Sequence, residues 1–325
     1  MTSQSSGRTT GVLLTAVGGP HSLDDVGPFL LDIRGGRPTP PELVAEFRER
    51  YAKIGGKSPL LEISLAQAKA LEERLNADGS PYRCYVGMRN WTPYIRDAYA
   101  KMVRDEIGRV VVLPLTPYHS RRSVGAYFRA VQEARATHGA PADIRYIESW
   151  NTEPALLAAF AGKIDAALRR LSARGFTDPA GVFTAHSLPR KLIEDGDDYE
   201  EELRETMALI LKRVPALRTR LAYQSAGRTE EPWLGPPLEE TLEELAAAGE
   251  KAVLIVPFGF ISDHLELLYD LDIEARETAE RLGMAFDRAE SLNTDPAFID
   301  AMAAAVQRAV EPSSTPRSGS GGRTA

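Results

Sequence analysis

Short apolar runs alternate with longer amphipathic segments along almost the whole chain. Runs rich in β-branched and aromatic residues fall at 11–17 (GVLLTAV), 82–88 (YRCYVGM), 109–115 (RVVVLPL), 143–149 (DIRYIES), 181–185 (GVFTA), 220–225 (RLAYQS), 251–258 (KAVLIVPF) and, more weakly, 284–290 (MAFDRAE). Each is short and closed by turn residues, which is the pattern of strands buried on both faces. Between them, segments such as LEISLAQAKALEERLNA, VGAYFRAVQEARATHG and EPALLAAFAGKIDAALRRLSARG carry apolar residues at spacings of three and four and predict helices. Strand and helix in alternation predict an α/β protein with parallel sheets flanked by helices. Ligands in such folds lie beyond the carboxyl ends of the strands.

The pattern also repeats. GVLLTAVGGP (11–20) aligns with GVFTAHSLP (181–189) with one gap, and TPYIRDAYAKMVRDEIGRVVVLPLTP (92–117) parallels GPPLEETLEELAAAGEKAVLIVPFGF (235–260) as turn, helix, strand and proline. This predicts two similar doubly wound lobes, 10–152 and 153–310, with a cleft between them and the last helix packed back on the first lobe. Residues 1–9 and 311–325, poor in core-forming residues, are predicted to be disordered tails. In the first alignment Val17 stands where the other copy has His186, so a histidine at this position belongs to one lobe only.

Composition narrows the class. With 43% apolar residues in 325, the chain has material for a substantial core. A net charge of −7 argues against a general grip on nucleic acid or anionic lipid. The single cysteine, Cys84, permits no intrachain disulfide and no all-cysteine cluster built from one chain. No apolar stretch approaches the roughly 18 residues of a membrane span, and a cytoplasmic location is expected. GGKS at 55–58 is not a phosphate loop, because Tyr51 occupies the position of the loop's first glycine. VGGP after the first strand is not a dinucleotide fingerprint.

Three segments carry candidate chemistry. In GVFTAHSLPR, His186 stands where an apolar run meets a proline turn, at a strand's carboxyl end. Imidazole accepts and releases protons near neutrality, although a lone histidine is more often a hydrogen-bonded core residue. In VPFGFISDHLELLYDLDIEAR, a helix is expected to begin near Asp263, with Asp263 and Glu266 as a capping pair. Glu266, Asp270 and Glu274 fall at i, i+4 and i+8, so they stack on one helical face. Such a row is either a solvated face or a path for a divalent cation. In YQSAGRTEEPWLGP, Trp233 either closes the core or presents a flat face to an aromatic ligand. Arg89 and the Arg121–Arg122 pair follow strands and suit carboxylate recognition. GPFLLDIRGG at 27–36 presents Phe29, Leu30 and Leu31 as an apolar lip for a greasy substrate or a bilayer, or as a packed helix face.

VGGP, IGGKSP, TAHSLP, YQSAGRTEEPWLGP and FISDHLELLYDLDIE, in this order from residue 17 to 274, resemble the ferrochelatase family. The resemblance implies an enzyme that inserts ferrous iron into a porphyrin held between two α/β lobes, with His186 and Glu266 as catalytic residues. It also implies a metal path over His186, Glu266, Asp270 and Glu274, and porphyrin-binding positions at Val17, Ser58, Arg89, His119, Trp233 and His264. Iron and porphyrin are then substrates and no stored cofactor is expected; an iron–sulfur cluster, present in some members, is out of reach with Cys84 alone. Some members acting on coproporphyrin carry a metal-approaching tyrosine in the place of Val17, so valine favours protoporphyrin IX over coproporphyrin III. A cobalt or nickel chelatase and a non-catalytic tetrapyrrole carrier are the rival readings. Peripheral membrane contact and a haem acceptor stay open.

Overall fold

The computed structural model describes residues 9–139, 143–214 and 216–311. Both predicted tails lie outside them apart from Thr9 and Glu311.

The first sheet contains β1 (Thr10–Ala16), β2 (Tyr82–Met88), β3 (Arg109–Pro114) and β4 (Asp143–Tyr146), all parallel, in the order β2-β1-β3-β4. The second contains β5 (Ala180–His186), β6 (Thr219–Gln224), β7 (Ala252–Val256) and β8 (Ala285–Arg288), again parallel, in the order β6-β5-β7-β8. The two orders are the same arrangement written twice, so the predicted repeat exists in three dimensions. Equivalent hydrogen bonds recur: Met88 N donates to Pro93 O at 2.7 Å and Tyr223 N to Pro236 O at 2.9 Å. Gly11 and Gly181 are the second residues of β1 and β5, where a Cβ would overlap Met102 and Leu217 respectively.

Strand alternation decides which residues face which layer. Val12 and Leu14 of β1, Phe183 and Ala185 of β5, and Leu254 and Val256 of β7 belong to one buried cluster shared by both sheets. Leu13, Val110 and Val112 face an outer layer with α4 (Ile95–Arg104) and α5 (Val124–His138). Val182, Val253 and Ile255 face the matching layer with α9 (Leu238–Ala247) and α11 (Arg276–Arg281). The shared cluster is filled by α3 (Leu60–Leu75), α6 (Pro154–Ala173) and α12 (Pro296–Val310), and α12 touches α3, α6, β3 and β4. Two loop contacts join the sheets further: Tyr118, after β3, donates to Phe258 O at 2.9 Å, and Gln67 of α3 donates to Ser262 Oγ at 2.8 Å.

Some strands stop earlier than their apolar runs suggest. β7 ends at Val256 because Pro257 has no N–H for the ladder, although Phe258 stays buried. β5 runs one residue past its apolar run and takes in His186.

Candidate active site

His186 is the last residue of β5, paired in register with Gln224 of β6. The peptide after it is held from both sides: Tyr199 Oη donates to His186 O at 3.1 Å, and Ser187 N donates to Gln224 O at 2.8 Å. Ser187 Oγ donates in turn to Leu234 O at 2.8 Å. His186 Nδ1 lies 2.5 Å from Ser187 O. A carbonyl only accepts, so Nδ1 carries a hydrogen, and in the neutral imidazole the lone pair is at Nε2.

Glu266 comes from the loop after β7. Its short helix α10 spans Leu265–Leu268, with His264 at the N-cap. The expected start at Asp263 and its capping role are not found. Asp263 instead accepts from Ser291 Oγ at 2.5 Å and Asn293 Nδ2 at 2.8 Å, because the loop before α12 packs closely enough to claim the carboxylate. Glu266 is thereby presented to β5. His186 Nε2 and Glu266 Oε1 stand 3.6 Å apart, both partly exposed. That is too long for a hydrogen bond. It matches the span of two ~2.1 Å bonds from one cation meeting at roughly 120°. Among the described residues, no group of three or more His, Cys, Asp or Glu side chains is arranged to hold a metal ion.

The local electrostatics keep Glu266 ionised. Burial works to raise its carboxyl, but when the imidazoles of His186 and His264 are protonated their positive charge outweighs it and holds the group at about 2. His264 Nε2 lies 3.9 Å from Glu266 Oε2, an electrostatic contact rather than a hydrogen bond, while His264 Nδ1 donates to Ser262 O at 3.0 Å. Burial opposes charge on His264, and Glu266 nevertheless raises it above its ordinary value. Asp270 is pushed up to about 6 by burial and by the Glu266 charge.

The acidic row departs from a plain α-helix. After α10 the chain makes a π-helical turn, Asp270–Ala275, in which Tyr269 O accepts from both Ile273 N at 3.2 Å and Glu274 N at 3.0 Å. Four residues of α-helix overshoot one turn by roughly 40°. The wider turn changes that offset, and Arg50 spans Asp270 and Glu274 across it. The row is also not a free anionic face. Arg50 of α2 (Pro41–Lys53) reaches Asp270 Oδ1 at 3.4 Å, Glu274 Oε1 at 3.7 Å and Glu46 Oε1 at 3.1 Å. Ser225 Oγ donates to Asp270 Oδ2 at 2.8 Å. Arg50, Gln224, Ser225 and Tyr199 were not singled out by sequence reasoning. Nothing local marks Arg50, whose partner Asp270 lies 220 residues away.

The remaining predicted positions are spread more widely. Val17 follows β1 and is 37% exposed. Ser58 is buried beneath Gly19, its N–H donating to Pro20 O at 2.9 Å. Arg89 is exposed and donates to Arg122 O at 3.2 Å. His119 is half-buried, and its N–H donates to Glu202 Oε2 at 2.6 Å. Trp233 is half-buried against Gly227, with Nε1 donating to Thr229 Oγ1 at 2.9 Å. Of the two readings of Phe29-Leu30-Leu31, the packed face describes the first two: on α1 (Val26–Ile33) Phe29 and Leu30 are buried, while Leu31 is exposed. Phe29 turns inward to meet Trp91 edge-to-face with centroids 6.1 Å apart.

Comparison with known proteins settles the family. A family model described as Ferrochelatase matches residues 9–310. The chain belongs to the ferrochelatase family. A ferrochelatase of Deinococcus radiodurans is 39% identical over 95% of this chain and 98% of its own length. One from Thermus thermophilus is 42% identical over 92% and 98%. A coproporphyrin III ferrochelatase of Oceanobacillus iheyensis is 36% identical over 92% and 96%. Among solved structures, SirB from Bacillus subtilis with Fe3+ superposes with a TM-score of 0.55 at 12% identity over 93% of this chain and 95% of its own, a likeness of fold. The chain is therefore a metal-chelatase enzyme of porphyrin biosynthesis, and its two-lobed fold is shared with other chelatases. Among the described residues no helix is long and apolar enough to cross a membrane.

Proposed function

We propose that this enzyme inserts Fe2+ into protoporphyrin IX, forming haem and releasing two protons, with His186 and Glu266 as its catalytic residues. The observation that carries the reading is the 3.6 Å separation of His186 Nε2 and Glu266 Oε1, an imidazole beside a carboxylate. A carboxylate and an imidazole bind ferrous iron without the thiolate grip that would retain it, and the single Nε2 lone pair holds either the metal or a proton, not both at once. They also leave most of its coordination positions to the four pyrrole nitrogens.

Insertion replaces two N–H protons by one divalent cation. His186 Nε2 accepts one pyrrole proton, since its other nitrogen is committed to Ser187 O, releases it to solvent from its partly exposed edge and then accepts the second. Glu266 steadies the imidazolium that forms and holds the incoming iron; Asp270 and Glu274 extend the oxygen-rich surface outward. Val17 supports protoporphyrin as substrate: its side chain, at the carboxyl end of β1, has no atom that can ligate a metal.

The test is anaerobic iron insertion followed by porphyrin absorbance, with protoporphyrin IX and coproporphyrin III side by side. Faster turnover of protoporphyrin IX supports the full reading, and faster turnover of coproporphyrin III reassigns the substrate. Binding of either porphyrin without insertion overturns the chemistry.

A further inference from the structure

We infer that Gln224 is a positioning residue that sets the spacing between His186 and Glu266. It is the last residue of β6 and is buried, with 6% of its surface exposed. Its backbone carbonyl accepts from Ser187 N at 2.8 Å, next to His186. Its side-chain Nε2 donates to the backbone carbonyl of Glu266 at 3.0 Å. One residue thus holds the main chain on both sides of the 3.6 Å gap. The first bond is a sheet bond that any residue can make. The second needs a side-chain donor with this reach, which the Gln224 amide supplies.

Two further observations set this position apart from ordinary sheet packing. Gln224 Oε1 is buried without a partner, as is Glu266 Oε2, so the amide is kept at a cost to stability. Ser225, the next residue, has φ of +57°, a left-handed conformation that non-glycine residues rarely adopt. In that conformation its hydroxyl bonds Asp270 at 2.8 Å. The end of β6 therefore ties Glu266 and Asp270 to the strand that carries His186.

The inference rests on the chelatase reading and deepens it. The experiment compares wild type with Gln224→Met, close in volume but without the donor, and Gln224→Asn, polar but one methylene too short. Turnover is measured together with Zn2+ affinity of the porphyrin-free full chain by calorimetry. Residues that orient metal ligands characteristically change affinity or activity by about 10–100-fold. Both variants should lose kcat by about that factor and bind Zn2+ at least about five-fold more weakly, with the porphyrin KM within about two-fold. Purely structural loss would instead lower the unfolding temperature and spare the zinc affinity of the folded fraction. Wild-type kcat and zinc affinity in both variants would overturn the inference. If Gln224→Met fails to fold, Gln224→Asn carries the test. A wild type that binds zinc but inserts iron into no porphyrin would sink the chelatase reading, and the zinc comparison would still judge Gln224.

Discussion

His186 Nε2 faces Glu266 Oε1 across 3.6 Å, and the two side chains come from adjacent parallel strands of one sheet, β5 and the turn after β7. Each is held through its backbone, so removing one side chain leaves the other in place. His186→Ala is expected to reduce iron insertion by roughly 10²–10⁴-fold, the usual worth of a positioned proton acceptor. Porphyrin binding, read by fluorescence quenching, should persist. Insertion within about ten-fold of wild type would remove His186 from the chemistry.

Asp270 is expected to make iron delivery pH-dependent. Burial and the neighbouring Glu266 charge place its carboxyl at about 6, so it is neutral below that pH and anionic above it. Attraction for Fe2+ along the row therefore rises as pH increases from 5 to 7. The apparent KM for iron should fall several-fold over this range in wild type and stay flat in Asp270→Asn. Parallel curves for the two proteins would contradict this assignment.

Glu202 joins the lobes at the His119 loop, and burial, only partly offset by its hydrogen bond from His119 N, raises it to about 7 from an ordinary 4.5. The folded state keeps this proton more tightly than the unfolded chain does. Its contribution is therefore fully present below pH 4.5 and is lost as pH rises through 7. Glu202→Gln keeps an acceptor for His119 N and carries no charge to desolvate. Thermal melts should show the variant gaining on wild type between pH 5 and pH 8; a constant difference would exclude the effect.

Asp197 has a fully buried carboxylate that accepts from Ser120 Oγ at 3.1 Å and Arg121 N at 2.8 Å, tying the loop after β3 to the start of α8 (Tyr199–Leu211). Asp197→Ala leaves those donors unpaired in the interior. A loss of about 2–4 kcal/mol in unfolding free energy is expected from denaturant titration. A change below about 0.5 kcal/mol would mean that the loop is held by other contacts.

Much of this molecule is legible in its sequence, because the relevant forces are local. Apolar runs ending in glycine or proline marked the strands, spacings of three and four marked the helices, and the parallel of 92–117 with 235–260 anticipated two similar lobes, which share one strand order. His186 could be placed at a strand end because Pro189 stops the run, and Glu266 because it follows Gly259 and the end of β7. Tertiary packing decided the rest. A capping motif at Asp263 is a local preference of modest energy, and the Ser291–Asn293 loop, folded over from far along the chain, outweighed it. The acidic row read as an isolated like-charge stack, but α2 lays Arg50 against it from a separation of 220 residues. The 3.6 Å gap itself depends on Gln224, whose side chain meets Glu266 only after two strands and a turn have closed into one sheet. Periodicity along a chain determines which face of an element is buried. Which side chains then meet across elements is set by how the faces pack, and that distance information is not carried by local spacing.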